Sequence, residues 1–210
     1  MAFSFEDIRS QFRRVSETMN QNKELLTELD SAIGDGDLGL TMSTGFSAVV
    51  ESLEQDDGQD IGKALMRAGM AMNNAASSTM GTLISSALLR MGQATKGKSE
   101  IDDATFVQVL KAGVQGIKDR GKADVGDKTI LDALVPAVTA LAETVEKGVD
   151  LPEALQKAAL AAEAGYDATE DMVSKFGRGH YYGEKSRGNK DPGAAVGMLV
   201  FRALRDAVCS

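Results

Sequence analysis

The sequence predicts an all-α fold: a single domain over residues 1–210, built as an up-and-down antiparallel bundle of about eight helices. Three observations carry that expectation. Apolar residues recur at spacings of three and four along most of the chain, the period of a helix with one buried stripe. Ala, Leu, Val and Met supply most of an apolar content of 43%, with no Trp, 3 Tyr and 7 Phe, which favours packed helices over aromatic-rich sheets. The periodic segments are joined by short connections, so consecutive helices are expected to be antiparallel neighbours.

The elements follow in order. Ser4 with Asp7 three residues later is a capping box, and Phe5, Ile8, Phe12 and Val15 continue at helical spacing. Leu25, Leu26 and Leu29 extend the same pattern into an acidic turn. From Leu40, the positions Met42, Phe46, Val49, Val50 and Leu53 mark another amphipathic face. Ile61 to Met72 and Ala75 to Met91 are the least charged helices and the expected inner wall, with Asn73 and Asn74 as the break between them. Ser99 with Asp102 is expected to cap the next helix, buried through Phe106, Val109, Leu110, Val114 and Ile117. Thr129 and Asp132 form a further capping pair ahead of Leu134, Val138, Leu141 and Val145, with Pro136 expected to bend that helix. Asp150, Pro152 and Glu153 start an Ala-rich helix running toward Phe176. After a Gly-rich basic loop, Asp191 and Pro192 fit the cap and first position of a last helix, and no strand pair is expected.

Composition excludes several classes. Lys plus Arg total 23 against 31 Asp plus Glu, a net charge of −8 that argues against a dedicated nucleic-acid binder. Cys209 is the only cysteine, so neither a disulfide framework nor a cysteine metal cluster is expected. The opening residues lack the apolar region of a signal peptide, and no run is long enough to cross a membrane. The expectation is a cytoplasmic protein without a membrane or nucleic-acid partner.

Chemistry concentrates first in LDSAIGDGDLGLTM. Asp30, Asp35 and Asp37 meet at a junction between helical patterns, and the intervening glycines leave the backbone free to aim the carboxylates at one point. Hard oxygen ligands on a tight turn suit Mg²⁺; the alternative is a solvated acidic turn. The apolar flanks and the helix that starts directly afterwards favour the metal, because free N–H groups at a helix start can face an anion that the metal neutralises.

Other segments could meet the same anion. Asn73 to Thr82, NNAASSTMGT, brings Ser77, Ser78 and Thr79 to a helix start, although a helix crossing lined by small residues explains it as well. Gly121 and Gly126 allow close approach in DRGKADVGDKT, which can also be an ordinary surface loop. Between 175 and 190, five basic residues oppose Glu184, a local excess of +4 that would attract a polyphosphate or acidic partner. His180 could bond a phosphate or simply pack in the loop. GQATKGKS at Gly92 to Ser99 satisfies the Walker A pattern, but a helix rather than a strand is expected before it, so the match is rejected.

The stretches IGDGDLGLTMSTGF, GKADVGDKT and GEKSRGNKDPGA resemble the nucleotide-binding L subunit of dihydroxyacetone kinases, over essentially the full chain. The resemblance implies an α-helical barrel that holds ADP or ATP at an open end through two Mg²⁺ ions. It places the metal on Asp30, Asp35 and Asp37. It places nucleotide contacts on Leu38, Gly39, Leu40 and Thr41, on Thr79 and Met80, on Gly121, on Ile130 under the base, on Arg178, and on Asp191, Pro192 and Gly193. Ser78 joins them as an anion-binding hydroxyl, and Arg178 is the candidate charge stabiliser.

The family also implies a separate K-type subunit that binds a small hydroxyketone covalently and, in one branch, an M-type subunit of the phosphotransferase system that rephosphorylates bound ADP. Two departures stand out: Leu38 replaces the histidine usual after the second aspartate of the metal turn, and NNAASSTMGT lacks the family's Gly-Gly and Gly-Pro pairs. The expected activity is a kinase subunit, transferring a phosphoryl group to a hydroxyketone on the partner. The alternative is a non-catalytic helical module that binds nucleotide or another ligand and acts through a partner.

Overall fold

Nine stretches of the chain bury a stripe every three to four residues, and each is an α-helix. In the computed structural model, which describes residues 2–209, these are α1 (Phe5–Gln21), α2 (Lys23–Ile33), α3 (Leu38–Glu54), α4 (Ile61–Ala75) and α5 (Thr79–Ala94), then α6 (Asp103–Gly121), α7 (Leu131–Glu146), α8 (Leu151–Ala168) and α9 (Pro192–Cys209). The count exceeds the expected eight because the first predicted helix is two. Asn22 ends α1, its amide donating to the Thr18 carbonyl at 2.8 Å, and α2 begins at once.

Most caps fall where the sequence puts them. Ser4 Oγ accepts from the Asp7 N–H at 3.2 Å while Asp7 Oδ2 accepts from the Ser4 N–H at 2.8 Å, closing the capping box. Asp150 Oδ1 accepts from the Glu153 N–H at 3.0 Å, and Asp191 Oδ2 from the Ala194 N–H at 2.7 Å. The Thr129–Asp132 pair forms only in part: Asp132 Oδ2 takes the Thr129 N–H at 2.7 Å and its Oδ1 the Gly126 N–H at 2.6 Å, but Ile130 rather than Thr129 precedes α7 and offers it no side-chain cap.

Four further expectations need correction. Helix α4 continues through Asn73 and Asn74, and the break lies at 76–78, where Ser78 Oγ accepts from the Gly81 N–H at 3.0 Å to start α5. Asp102, not Ser99, caps α6, accepting from the Thr105 N–H at 2.8 Å. The residues between them form a strand, β2 (Glu100–Asp102), paired antiparallel with β1 (Ala2–Ser4) and setting Phe3 opposite Ile101. The ribbon holds because Phe3 is buried and stacks on Phe106, ring centroids 4.9 Å apart. Helix α8 also stops short of Phe176, giving way to a 3-10 turn over Thr169–Asp171, with a second over Arg178–Ser186.

Pro136 does not interrupt α7. It removes the N–H that the Asp132 carbonyl would have accepted. Gly165 of α8 fills the resulting space, so close that a Cβ there would lie 2.0 Å from that oxygen. The helices pack in chain order from α3 to α9, α9 returns to α1, and α1 rests on α3, so the contacts form a closed circuit with α2 laid on α3. One contiguous apolar cluster fills the interior and includes Met42, Leu65, Leu88, Leu141 and Phe201.

Helices α2, α4, α6 and α8 end at the same end of the molecule at which α3, α5, α7 and α9 begin, the alternation of an up-and-down bundle. An open cavity lies at that end.

Candidate functional site

The acidic turn is built at the α2–α3 junction. Gly34 follows the last residue of α2, and a Cβ on it would sit 2.1 Å from Asp30 Oδ1, so only glycine leaves room for that carboxylate. Gly36 has φ +75°, the left-handed conformation that turns the chain between Asp35 and Asp37. The Leu38 N–H at the start of α3 donates to Asp30 Oδ2 at 3.2 Å.

One carboxylate oxygen from each of Asp30, Asp35 and Asp37 lies within 4.8 Å of the others. Ligand oxygens of a single Mg²⁺, at about 2.1 Å from the ion, stand about 3 to 4.2 Å apart, so small rotations bring the three into one coordination sphere. Burial raises the Asp30 pKa, and the charges of Asp35 and Asp37 push it the same way against the Leu38 hydrogen bond. Arg178 Nη2 reaches Asp35 Oδ2 at 2.5 Å, a pair largely open to solvent. Three converging carboxylates against one exposed guanidinium leave negative charge uncompensated, and the all-oxygen donor set fits a hard divalent cation.

The cavity beside this turn has a volume of about 930 Å³. Of the residues predicted for the site, Asp30, Asp35, Asp37, Leu38, Ser78, Thr79, Met80, Gly121, Ile130, Arg178, Asp191, Pro192 and Gly193 line it. Gly39, Leu40 and Thr41 are not part of the wall. A Cβ on Gly39 would stand 2.1 Å from the Lys23 carbonyl, so this glycine serves the packing of α3 on α2. Leu40 points to solvent, 56% exposed, and the Thr41 N–H is taken by the Asp37 carbonyl at 2.9 Å.

His180 is exposed and lies outside the wall. Gly92 to Ser99 is also remote. It leaves the far end of α5, a helix of 16 residues and thus about 24 Å long, and leads into β2, the reverse of a phosphate loop's strand-to-helix order. The basic 175–190 segment spends much of its charge internally: Lys175 pairs with Asp127 at 2.8 Å and Lys190 with Asp167 at 2.6 Å, while Arg178 alone of its basic residues lines the cavity.

Several wall residues were not singled out from the sequence, among them Arg120, Lys128 and Ser174. Lys128 is 1% exposed, and its Nζ donates to the carbonyls of Met172 at 3.0 Å, Ser186 at 2.6 Å and Asn189 at 2.6 Å. A GDK turn carries no mark of this, since lysine is ordinarily a surface residue and these acceptors are backbone atoms far along the chain. Asp191 is buried, its N–H donating to Thr169 Oγ1 at 2.9 Å. Burial, with the charge of Asp132 adding to it, pushes the Asp191 pKa up to about 7 despite the Ala194 N–H and the Lys128 cation.

The arrangement suits a polyanion with an apolar end. Four helices begin at the wall, each turning the positive end of its dipole toward the cavity. Leu83, Ile117, Ile130 and Leu131 supply apolar surface to the wall, and the volume is that of an ordinary ligand site.

The DAK2 domain matches residues 32–206. The ADP-binding subunit DhaL of the PEP-dependent dihydroxyacetone kinase of Escherichia coli (strain K12) is 36% identical over 204 residues, covering 97% of each chain. The L-erythrulose kinase of Pectobacterium atrosepticum is 36% identical over 183 residues, 85% of this chain and 31% of that protein. Among solved structures, the dihydroxyacetone kinase from C. freundii in complex with AMP-PNP and Mg²⁺ superposes with a TM-score of 0.76 at 27% identity, over 94% of this chain and 33% of that one.

Proposed function

The chain belongs to the DAK2 domain family, and on that premise we propose that it is the nucleotide-binding, phosphoryl-transfer subunit of a kinase for dihydroxyacetone or a related ketose. The observation that carries the proposal is the meeting of the Asp30, Asp35 and Asp37 turn with four helix starts around one open cavity. The E. coli relative that is similar along its whole length is an ADP-binding subunit of such a kinase, and the C. freundii kinase that shares the fold was crystallised with AMP-PNP and Mg²⁺.

In this reading Asp30, Asp35 and Asp37 hold Mg²⁺, two ions in the full complex, next to the phosphates of ADP or ATP. The bound metal supplies charge neutralisation at the phosphoryl oxygens during in-line transfer. The chain's own groups do the positioning. The start of α5, with Ser78, Thr79 and Met80, offers N–H groups and hydroxyls to the non-transferring oxygens, and Arg178 approaches from the opposite wall as charge stabiliser. Ile130 lies under the base, Gly121 lets the ligand approach the backbone, and the α9 start at Asp191, Pro192 and Gly193 closes the pocket. The aspartates are committed to metal, so no general base is assigned to this chain; alignment and electrostatics carry a loose transition state.

The acceptor hydroxyl would come from a hydroxyketone on a separate K-type subunit docked over the open end, in the cytoplasm. An M-type phosphotransferase-system subunit would recharge ADP in place if the donor is a phosphoprotein. The test is to combine the purified chain with a K-type subunit and dihydroxyacetone or L-erythrulose, supplying either ATP or an M-type phosphoprotein with ADP, and to assay the ketose phosphate. Product that requires this chain supports the proposal. Tight Mg·ADP binding with no product from either ketose and either donor would instead favour the non-catalytic module.

A further inference from the structure

We propose that the Lys128 ammonium is a tethered monovalent cation, filling a cage of backbone carbonyls that pins the segment carrying Arg178 and so making Lys128 a positioning residue of the cavity. Its three N–H donors meet three acceptors, the carbonyls of Met172, Ser186 and Asn189, at 3.0, 2.6 and 2.6 Å. Those carbonyls bracket residues 172–189, and Arg178, with its 2.5 Å bond to Asp35, lies between them. One side chain from the α6–α7 turn thus ties down both ends of the segment that sets Arg178 against Asp35.

The placement is unusual for lysine in two ways. Its side chain is fully buried, and its φ of +59° is a left-handed conformation that is unfavourable for a non-glycine residue. Both costs fall on one residue, which the cage contacts must offset. Asp127, next in the turn, adds to the grip: its carbonyl accepts from the Lys175 N–H at 3.2 Å and its carboxylate from Lys175 Nζ at 2.8 Å. Inside the segment, Ser186 Oγ accepts from the Ser174 N–H at 2.9 Å and donates to the Gly183 carbonyl at 2.7 Å. Burial lowers the Lys128 pKa and the Arg187 cation pushes the same way, opposed by the Glu170 carboxylate and, once it ionises, by Asp191.

Backbone carbonyls of this kind are the ligands that replace the hydration shell of a potassium ion. Truncating the side chain leaves carbonyls facing one another around a space of ammonium size, which K⁺ or NH₄⁺ can enter and the smaller Li⁺ fits poorly. Methionine at the same position fills the space without charge and admits no ion.

Two arms of the test need no nucleotide. In the wild type, trace acetylation read by mass spectrometry is expected to label Lys128 at least about tenfold more slowly than Lys157, whose side chain is 49% exposed. In Lys128→Ala at equal ionic strength, trypsin is expected to cut after Arg178 about tenfold faster than in the wild type in LiCl, with KCl or NH₄Cl restoring protection, while Lys128→Met is cut fast in every salt. Rapid labelling of Lys128, or wild-type protection of Lys128→Ala in LiCl, overturns the proposal, as does an Ala variant indifferent to which cation is present. Should the variants fail to fold in any salt, the labelling of the wild type decides. A third arm, Mg·ADP affinity following the same salt order in Lys128→Ala, rests on the nucleotide reading. If the wild type binds no Mg·ADP, that reading fails while the first two arms still judge the cage.

Discussion

Replacing Asp191 by Asn is expected to make the protein more stable at neutral and alkaline pH and to flatten its pH dependence. The Asp191 carboxyl is buried, and its pKa stands at about 7 against an ordinary 3.8, so the fold favours the neutral acid. A raised pKa places the stabilising state at low pH: the contribution is complete below pH 3.8, falls as the unfolded chain ionises, and is exhausted once pH passes 7. Across the interval from pH 5 to 8, the linkage relation gives a loss of about 2 to 3 kcal/mol from this one group. Asparagine keeps an oxygen for the Ala194 N–H and has nothing to ionise. For a domain of 210 residues, the melting temperature of the variant minus that of the wild type should rise by about 5 to 10 °C between pH 5 and pH 8, measured in EDTA without nucleotide. Titrating groups remote from Asp191 are common to both proteins and cancel in the difference, while the charges of Lys128 and Asp132 beside it are already part of the raised Asp191 pKa. Parallel curves over this range would refute the claim that Asp191 is held neutral by burial.

Two further substitutions separate stability from binding. Arg178→Ala removes a solvent-exposed pair with Asp35, the kind worth about 0 to 1 kcal/mol, so its melting temperature should barely move while its Mg·ADP affinity falls at least about tenfold by calorimetry. Gly165→Ala drives a methyl group against the Asp132 carbonyl, where a Cβ would lie at 2.0 Å, and should cost about 1 to 3 kcal/mol in urea unfolding.

The parts of the fold written in local chemistry were legible. Ser4 with Asp7, Asp150 with Pro152 and Asp191 with Pro192 each combine a cap with its first turn, and the structure places a helix start at all three. Where two local solutions compete, distant contacts choose. Asn73 and Asn74 could have ended α4 but Ser78 offers the next helix its cap, and Ser99 lost to Asp102 because Ile101 pairs with Phe3 nearly a hundred residues away.

The acidic turn was legible because glycines and aspartates alternate there, and the cavity collects most of the positions that the family resemblance named. Leu40 and Thr41 sit at the same helix start yet face away from the wall, since successive residues on a helix turn through about 100°. Lys128 was not legible at all: its acceptors are backbone carbonyls 44, 58 and 61 residues further on, and a backbone carbonyl leaves no trace in the letters of a sequence.

If Asp30, Asp35 and Asp37 bind nucleotide through a divalent cation, titration calorimetry of ADP with and without Mg²⁺ on the wild type and on Asp35→Asn will show it. The wild type is expected to bind ADP in Mg²⁺ and to weaken at least about tenfold in EDTA, and Asp35→Asn to be weak in both, with its melting temperature within a few degrees of the wild type. Equal ADP affinity with and without Mg²⁺, or an Asp35→Asn protein that binds Mg·ADP like the wild type, would contradict it.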